Sequence, residues 1–229
     1  MSTSTQVRKG QDQLISNLAL RNLIGVSGIL LPILVFLADA WLNHAQNFQP
    51  SISDYYYANG LPSDLFVGIL FALSFFLLSY RGYEKSDNRA ATLAGFFALG
   101  VALLPCNETA YAIDKIHLLA AASMLLVFAY MSLIEFPKFT KGAAFSTLSL
   151  TNKFRKGIFI LCGCIMLLAL AACLYVVLTT TDVERKEMTI IYKLETICLW
   201  AFGLSWLVKG EFYRQSIQII RPASTQLKQ

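Results

Sequence analysis

Charged residues are scarce in this chain: Asp, Glu, Lys and Arg together make up 14% of its 229 residues. Soluble globular domains carry about 25% charged residues, and 56% of this chain is hydrophobic. The composition therefore excludes an ordinary soluble domain, and its apolar content excludes an intrinsically disordered protein. The mean hydropathy of +0.55 and the long apolar blocks indicate a polytopic membrane protein.

Histidine and cysteine are also few, which excludes several kinds of site. Two histidines cannot supply a three-histidine zinc site, and they make the facing histidine pairs of a membrane haem improbable. The five cysteines form no C-x-x-C pair, so we expect free thiols in apolar surroundings and no disulfide framework. The first twenty residues lack the apolar segment of a signal peptide, so we expect no cleaved leader.

Six apolar blocks approach the length of about 20 residues that a helix needs to cross a bilayer. They lie at residues 23–42, 64–80, 91–106, 116–136, 158–180 and 189–209. Continuous apolar blocks without alternation predict helices, because every backbone polar group must find a partner within the hydrocarbon. The sequence thus predicts an all-α integral membrane protein, with one domain over residues 1–229 folded as a bundle of six transmembrane helices.

Lys and Arg are distributed unevenly between the two predicted ends of this bundle. Fifteen of the nineteen fall on the side that holds both termini, whereas Lys115, Arg185 and Lys186 fall on the other side and Lys193 lies inside a span. The positive-inside rule therefore predicts cytoplasmic termini. The net charge of +5 fits anionic lipid headgroups, so we expect membrane lipids as partners and no nucleic acid. The predicted location is a bacterial inner membrane, and a homo-oligomer is left open.

Polar side chains gather at the predicted outer ends of spans 1, 2, 4 and 6. There an ionisable residue heads a stripe of small or polar residues at helical spacing, which is typical of faces where membrane helices pack closely. Ionisable groups inside a bilayer are costly, so they normally face the bundle interior. The sequence therefore predicts a polar pocket at the outer end, with seven candidate ligand-binding residues: Asp39, Asp54, Asp64, Glu108, His117, Lys193 and Glu195.

The stripes also predict individual contacts. Gly68 and Ala98 should lie where helices touch, whereas Leu70, about 200° round its helix from Gly68, should face away. Lys193 belongs to the small and polar face of span 6, so its ammonium should point into the bundle. There we expect it to pair with Asp39, which heads the stripe of span 1.

Two classes of function are compatible with such a pocket. The first is a protein that binds or transports a lipid or another amphipathic small molecule. The second is an intramembrane metal-dependent lipid hydrolase, in which Asp39, Asp64, Glu108 and His117 would hold a hard cation. The sequence specifies neither a cofactor nor a metal.

Three segments carry a family resemblance: SISDYYY…LPSDLFVGILFALSFFLLSYRGYE, AGFFALGVALLPC and IHLLAAASMLLVFAY. They resemble an uncharacterised group of bacterial six-helix membrane proteins. The polar outer loop after span 1, followed by a histidine that opens span 4, is similar to DRAM/Frag-like membrane proteins. The resemblance covers residues 20–136, with Asp54, Asp64 and His117 at the matching positions. It implies a six-helix fold and a lipid-linked role, with no catalytic residues to transfer.

The predicted orientation can be tested by chemical labelling. In a variant without native cysteines, single cysteines at Ser51 and Ser146 should react with a membrane-impermeant maleimide from opposite sides, because an odd number of spans separates them. In intact cells only the cysteine at position 51 should react. Labelling of position 146 alone would reverse the orientation.

Overall fold

The computed structural model describes residues 3–82, 84–104, 111–140 and 149–226, and the side chains of 17–82, 84–104, 115–138 and 149–210 except 182 and 186. Within these ranges lie seven α-helices: α1 (Thr3–Leu42), α2 (Leu61–Ser79), α3 (Lys85–Leu103), α4 (Tyr111–Tyr130), α5 (Leu150–Thr179), α6 (Asp182–Glu187) and α7 (Ile190–Gln226). A 3₁₀ helix, Ser53–Tyr57, lies in the loop after α1. At its end α4 continues through a π-helical turn, Met131–Glu135, into the 3₁₀ turn Phe136–Thr140.

The six long helices form a closed ring in chain order. Each of α1 to α4 packs against the next helix along the chain, and α7 packs against both α5 and α1. The short helix α6 joins α5 to α7, and α7 also touches α4 across the ring. The predicted all-α bundle is confirmed by this arrangement.

Within the described part of the chain, five segments are long and apolar enough to cross a membrane: Asn17–Leu42, Leu61–Ser79, Lys115–Lys138, Leu150–Thr179 and Ile190–Gly210. They define a helical bundle of the multi-pass membrane class. The third predicted span falls in α3, which belongs to the ring but is not among the five. Its first five residues include Lys85, Asp87 and Arg89, which lower its apolarity. The six-span count and the cytoplasmic termini stay predictions.

Two glycines allow α1 and α7 to cross closely. A Cβ atom on Gly25 would lie 2.8 Å from the carbonyl oxygen of Gly203, and one on Gly203 would lie 2.5 Å from that of Gly25. Nearby, the hydroxyl of Tyr192 donates to the carbonyl oxygen of Pro32 at 2.7 Å. Close backbone packing and cross-helix hydrogen bonds are the main attractions between helices in lipid.

The predicted packing face of α2 is wrong. Gly68 is exposed, and no atom lies within 4 Å of the position that its Cβ would take. Leu70 is instead 1% exposed and belongs to the core. The helix packs through large apolar side chains, so its glycine is left on the outer face. On α3, by contrast, Ala98 is fully buried as predicted.

Aromatic side chains fill the middle of the bundle. Phe128 of α4 stacks on Phe202 of α7 with 3.7 Å between ring centroids. Next to them, Trp206 meets Tyr80 and Phe136 edge-on, with centroids 4.9 and 5.2 Å apart. Each of these five side chains is at most 3% exposed. These aromatic side chains fill the core from Phe128 and Phe202 to the predicted inner end of the bundle.

The crossing of α1 and α7 at Gly25 and Gly203 is expected to be the packing site most sensitive to a larger side chain. Gly203→Leu places a side chain against the backbone of Gly25, so we expect a loss of about 1–3 kcal/mol, typical of overpacking. Gly68→Leu adds the same atoms where there is room and should change little. Thermal unfolding in detergent measures both variants. Equal losses would contradict the close crossing of α1 and α7.

Candidate functional site

A cavity lies between α1, α2, α3, α4 and α7 at the predicted outer end. Its volume is about 50 Å³, and its wall is almost entirely apolar. Of the described side chains, His117 of α4 and Glu195 of α7 are the ionisable groups in that wall, and Ile52 and Ser53 of the first loop also line it. One water needs about 10–15 Å³. The cavity therefore has room for a few waters, or for one polar group with the first carbons of a chain, and not for a whole lipid.

Glu195 is held by the loop that follows α1. The backbone N–H of Ile52 donates to one carboxylate oxygen of Glu195 at 2.7 Å, and the Ser51 hydroxyl reaches the other at 3.4 Å. Among the described side chains, no ion pair includes Glu195. The carboxylate thus stands in a mostly apolar wall without a cationic partner from that part of the chain.

His117 is fixed by the end of α3. Its side chain is 2% exposed, and its Nδ1 lies 2.8 Å from the backbone carbonyl oxygen of Leu104. A carbonyl oxygen only accepts, so Nδ1 must carry a hydrogen and donate it. In the neutral ring Nε2 is then the nitrogen that accepts. This bond sets both the tautomer and the ring orientation at the cavity wall.

The first loop covers the start of α7. The backbone N–H of Tyr192 donates to the carbonyl oxygen of Pro50 at 2.9 Å, and Phe48 stacks on the Tyr192 ring with 4.6 Å between centroids. Tyr55, in the 3₁₀ helix of this loop, is fully buried. Burial raises the pKa of the Tyr55 phenol, so it stays neutral at physiological pH. The loop is therefore an ordered cover of the cavity.

The predicted pair of Lys193 and Asp39 does not form. Asp39 is 2% exposed, and its carboxylate accepts hydrogen bonds from the side-chain amides of Asn43 at 2.8 Å and Gln49 at 3.2 Å. Lys193 is exposed, because α7 turns its neighbour Tyr192 inward instead. The amides satisfy the carboxylate without a cation.

The remaining candidates are spread over the outer end. Asp54 accepts a hydrogen bond from the backbone N–H of Ser51 at 2.9 Å and so stabilises the loop. Asp64 is exposed in the first turn of α2, and Glu108 lies outside the described residues. Of the seven candidates, the cavity brings together His117 and Glu195. Their ligand-binding role stays a prediction.

The arrangement of these residues does not support the alternative function, an intramembrane metal-dependent lipid hydrolase. Among the residues whose placement is described, no group of three or more His, Cys, Asp or Glu side chains could hold a metal ion. Asp39 is occupied by amides, and Asp64 is on the surface. These two carboxylates and His117 therefore do not form one site.

A buried charged cluster at the opposite, predicted inner end was missed by the sequence reasoning. The Lys209 ammonium donates to Asp87 at 2.8 Å, and the Tyr80 hydroxyl donates to the same oxygen at 3.0 Å. Lys209 and Asp87 are 5% and 3% exposed, and Arg21 nearby is 1% exposed. The Lys209 ammonium also lies 3.9 Å from the centroid of the Phe136 ring, a favourable cation–π distance.

A second carboxylate lies beside this cluster, in the π-helical turn after α4. Glu135 is 4% exposed and accepts hydrogen bonds from Lys138 at 2.7 Å, Tyr130 at 2.6 Å and Ser86 at 3.0 Å. Sequence reasoning counted the inner-end cations only as topology signals. The signal that it overlooked is that Asp87 and Glu135 are acidic residues in strongly basic surroundings.

Comparisons with protein-family models, with curated proteins and with solved structures find no match to this chain. The class of helical membrane bundle therefore rests on the helices themselves. The resemblance to DRAM/Frag-like proteins stays a prediction.

The inner-end pair gives a stability prediction. Lys209→Met leaves the Asp87 charge buried without its cation, so we expect a loss of about 3–5 kcal/mol. Lys209→Met combined with Asp87→Asn should recover part of this loss, because no lone charge then remains. Lys193→Met, at an exposed lysine of the same helix, is the matched control and should be nearly neutral. Strictly additive losses in the double-mutant cycle, measured by unfolding in detergent, would contradict the pairing.

Proposed function

We propose that the protein binds an amphipathic small molecule, with its polar end in the outer-end cavity and its apolar tail among the surrounding lipids. The observation that supports this proposal is a small, mainly apolar cavity with two ionisable groups in its wall. Binding sites for small molecules commonly combine an apolar lining with a few placed polar groups.

The dimensions of the cavity support a particular mode of binding. With about 50 Å³, it accepts a polar group and a few carbons, so most of an attached chain must lie elsewhere. Exposed apolar side chains on α2 and α4, such as Phe71, Phe75 and Leu119, provide a lipid-like surface outside the ring. A ligand of this type would enter from the membrane and leave to it, which fits a carrier or a receptor.

The proposal includes the topology that the sequence predicts. We propose six spans, with α3 crossing the bilayer between α2 and α4 in spite of its charged first turns. Asp87, the acidic member of those turns, is paired with Lys209, which lowers the cost of placing it near the hydrocarbon. The cavity then opens near the outer leaflet of a bacterial inner membrane.

Filling the cavity tests the proposal. Ala121 belongs to the cavity wall, so Ala121→Phe should occupy the space and remove saturable binding of a simple amphiphile. The probes are decan-1-ol and decylamine, titrated by calorimetry into the protein in phosphatidylcholine nanodiscs at pH 7. Empty nanodiscs correct for partition of the probes into lipid.

The matched control makes the same substitution at an exposed position. Ala171 lies on the outer surface of α5, and Ala171→Phe should leave the binding of both probes unchanged. Saturable binding in the wild type that Ala121→Phe removes supports the cavity as the site. Absence of saturable binding, or equal binding in the two variants, would overturn the proposal.

A further inference from the structure

The cavity wall has a definite charge pattern. Among the described side chains, its ionisable groups are one carboxylate, Glu195, and one imidazole, His117. The imidazole donates through Nδ1 to the Leu104 carbonyl, which leaves Nε2 of the neutral ring as an acceptor. Both groups therefore suit a ligand that donates hydrogen bonds.

Of these two groups, Glu195 has the stronger preference for a ligand that donates hydrogen bonds. The bond from the Ile52 N–H to its carboxylate is 2.7 Å long, at the short end of the usual range for N–H···O hydrogen bonds. Among the residues that the structure describes, its second oxygen has only the long contact of 3.4 Å from Ser51. No ion pair of the described side chains involves Glu195. An ionised carboxylate among apolar neighbours is costly unless a cation joins it.

A bare metal ion does not fit this position. Hard cations such as Ca²⁺ and Mg²⁺ need six or more oxygen ligands, from protein or water. The cavity wall is mostly hydrocarbon, and the described residues provide no cluster of metal-binding side chains. An organic ammonium group needs fewer acceptors, and its attached carbons match an apolar wall.

We infer that the cavity binds the primary ammonium group of an amphipathic amine, with the Glu195 carboxylate as its counter-ion and the apolar wall around its first carbons. This inference rests on the proposed function and names the chemical class of the ligand. Such an ammonium group occurs both in free long-chain amines and in aminophospholipid headgroups. The two sources share the chemistry that Glu195 recognises.

Three probes with the same chain and different head groups test the inference on the wild-type protein in nanodiscs. Decylamine is protonated at pH 7, like a lysine side chain, whereas decan-1-ol is neutral and decanoate is anionic. A hydrogen bond to a charged group is stronger than one between two neutral groups. From this difference we expect the protein to bind the amine about tenfold more tightly than the alcohol. Decanoate should bind least. Equal affinities for amine and alcohol would overturn the inference, yet leave the proposed function standing if Ala121→Phe still removes binding.

The variant Glu195→Gln tests whether the preference for decylamine over decan-1-ol depends on Glu195. Glutamine keeps a carbonyl oxygen for the Ile52 N–H, so the loop should stay in place, and its thermal unfolding checks this. Decylamine should lose about tenfold in affinity, and decan-1-ol should bind as before. Asp64→Asn removes an exposed carboxylate from the same end and should leave the amine preference intact. An unchanged preference in Glu195→Gln would overturn the inference.

Competition decides between the two sources of the ammonium group. Phosphatidylethanolamine added to the phosphatidylcholine nanodiscs should weaken decylamine binding if the headgroup is the ligand. Unchanged decylamine binding points to a free amine. Either result supports recognition of an ammonium group, provided that the amine preference itself is present. Loss of that preference in nanodiscs of either composition would contradict it.

Discussion

The close crossing of α1 and α7 positions the polar groups at both ends of this bundle. The two helices meet backbone to backbone at Gly25 and Gly203, which closes the ring of six helices. Because α7 is held so firmly, the groups along its length have fixed partners. Glu195 meets the first loop at one end, and Lys209 meets Asp87 at the other. A looser crossing would leave either group without its partner.

Polar chemistry is segregated to the two ends for a physical reason. About 21 Å of helix separates Glu195 from Lys209 at a rise of about 1.5 Å per residue, and between them the core is aromatic. Phe128 and Phe202 stack there, and Trp206 lies beside them. An unpaired charge in that layer would lack both water and a counter-ion. The outer end therefore offers a cavity, while the inner end uses its charges for stability.

The outer and inner ends differ in how their charges are satisfied. At the inner end Asp87 has a cation, and Glu135 has several donors. At the outer end Asp39 is satisfied by two amides, and Glu195 by one short backbone bond and one long hydroxyl contact. Of these four carboxylates, Glu195 is the one in the cavity wall, and no described side chain forms an ion pair with it. This contrast is the physical basis for assigning ligand binding to the outer end.

Composition and block length by themselves determined the all-helical membrane class, because bilayer thickness and backbone hydrogen bonding leave few alternatives. Helical spacing predicted the buried face of α1, where Asp39 heads a stripe of small or polar residues and is itself buried. The faces of α2 and α7 were decided only by the tertiary structure: Gly68 and Lys193 point outward, and Leu70 and Tyr192 point inward. Small and polar residues mark a helix contact only when the neighbouring helix offers a complementary surface. The partners of Glu195 and Lys209 lie 143 and 122 residues away along the chain, and the packing of the whole ring brings them together.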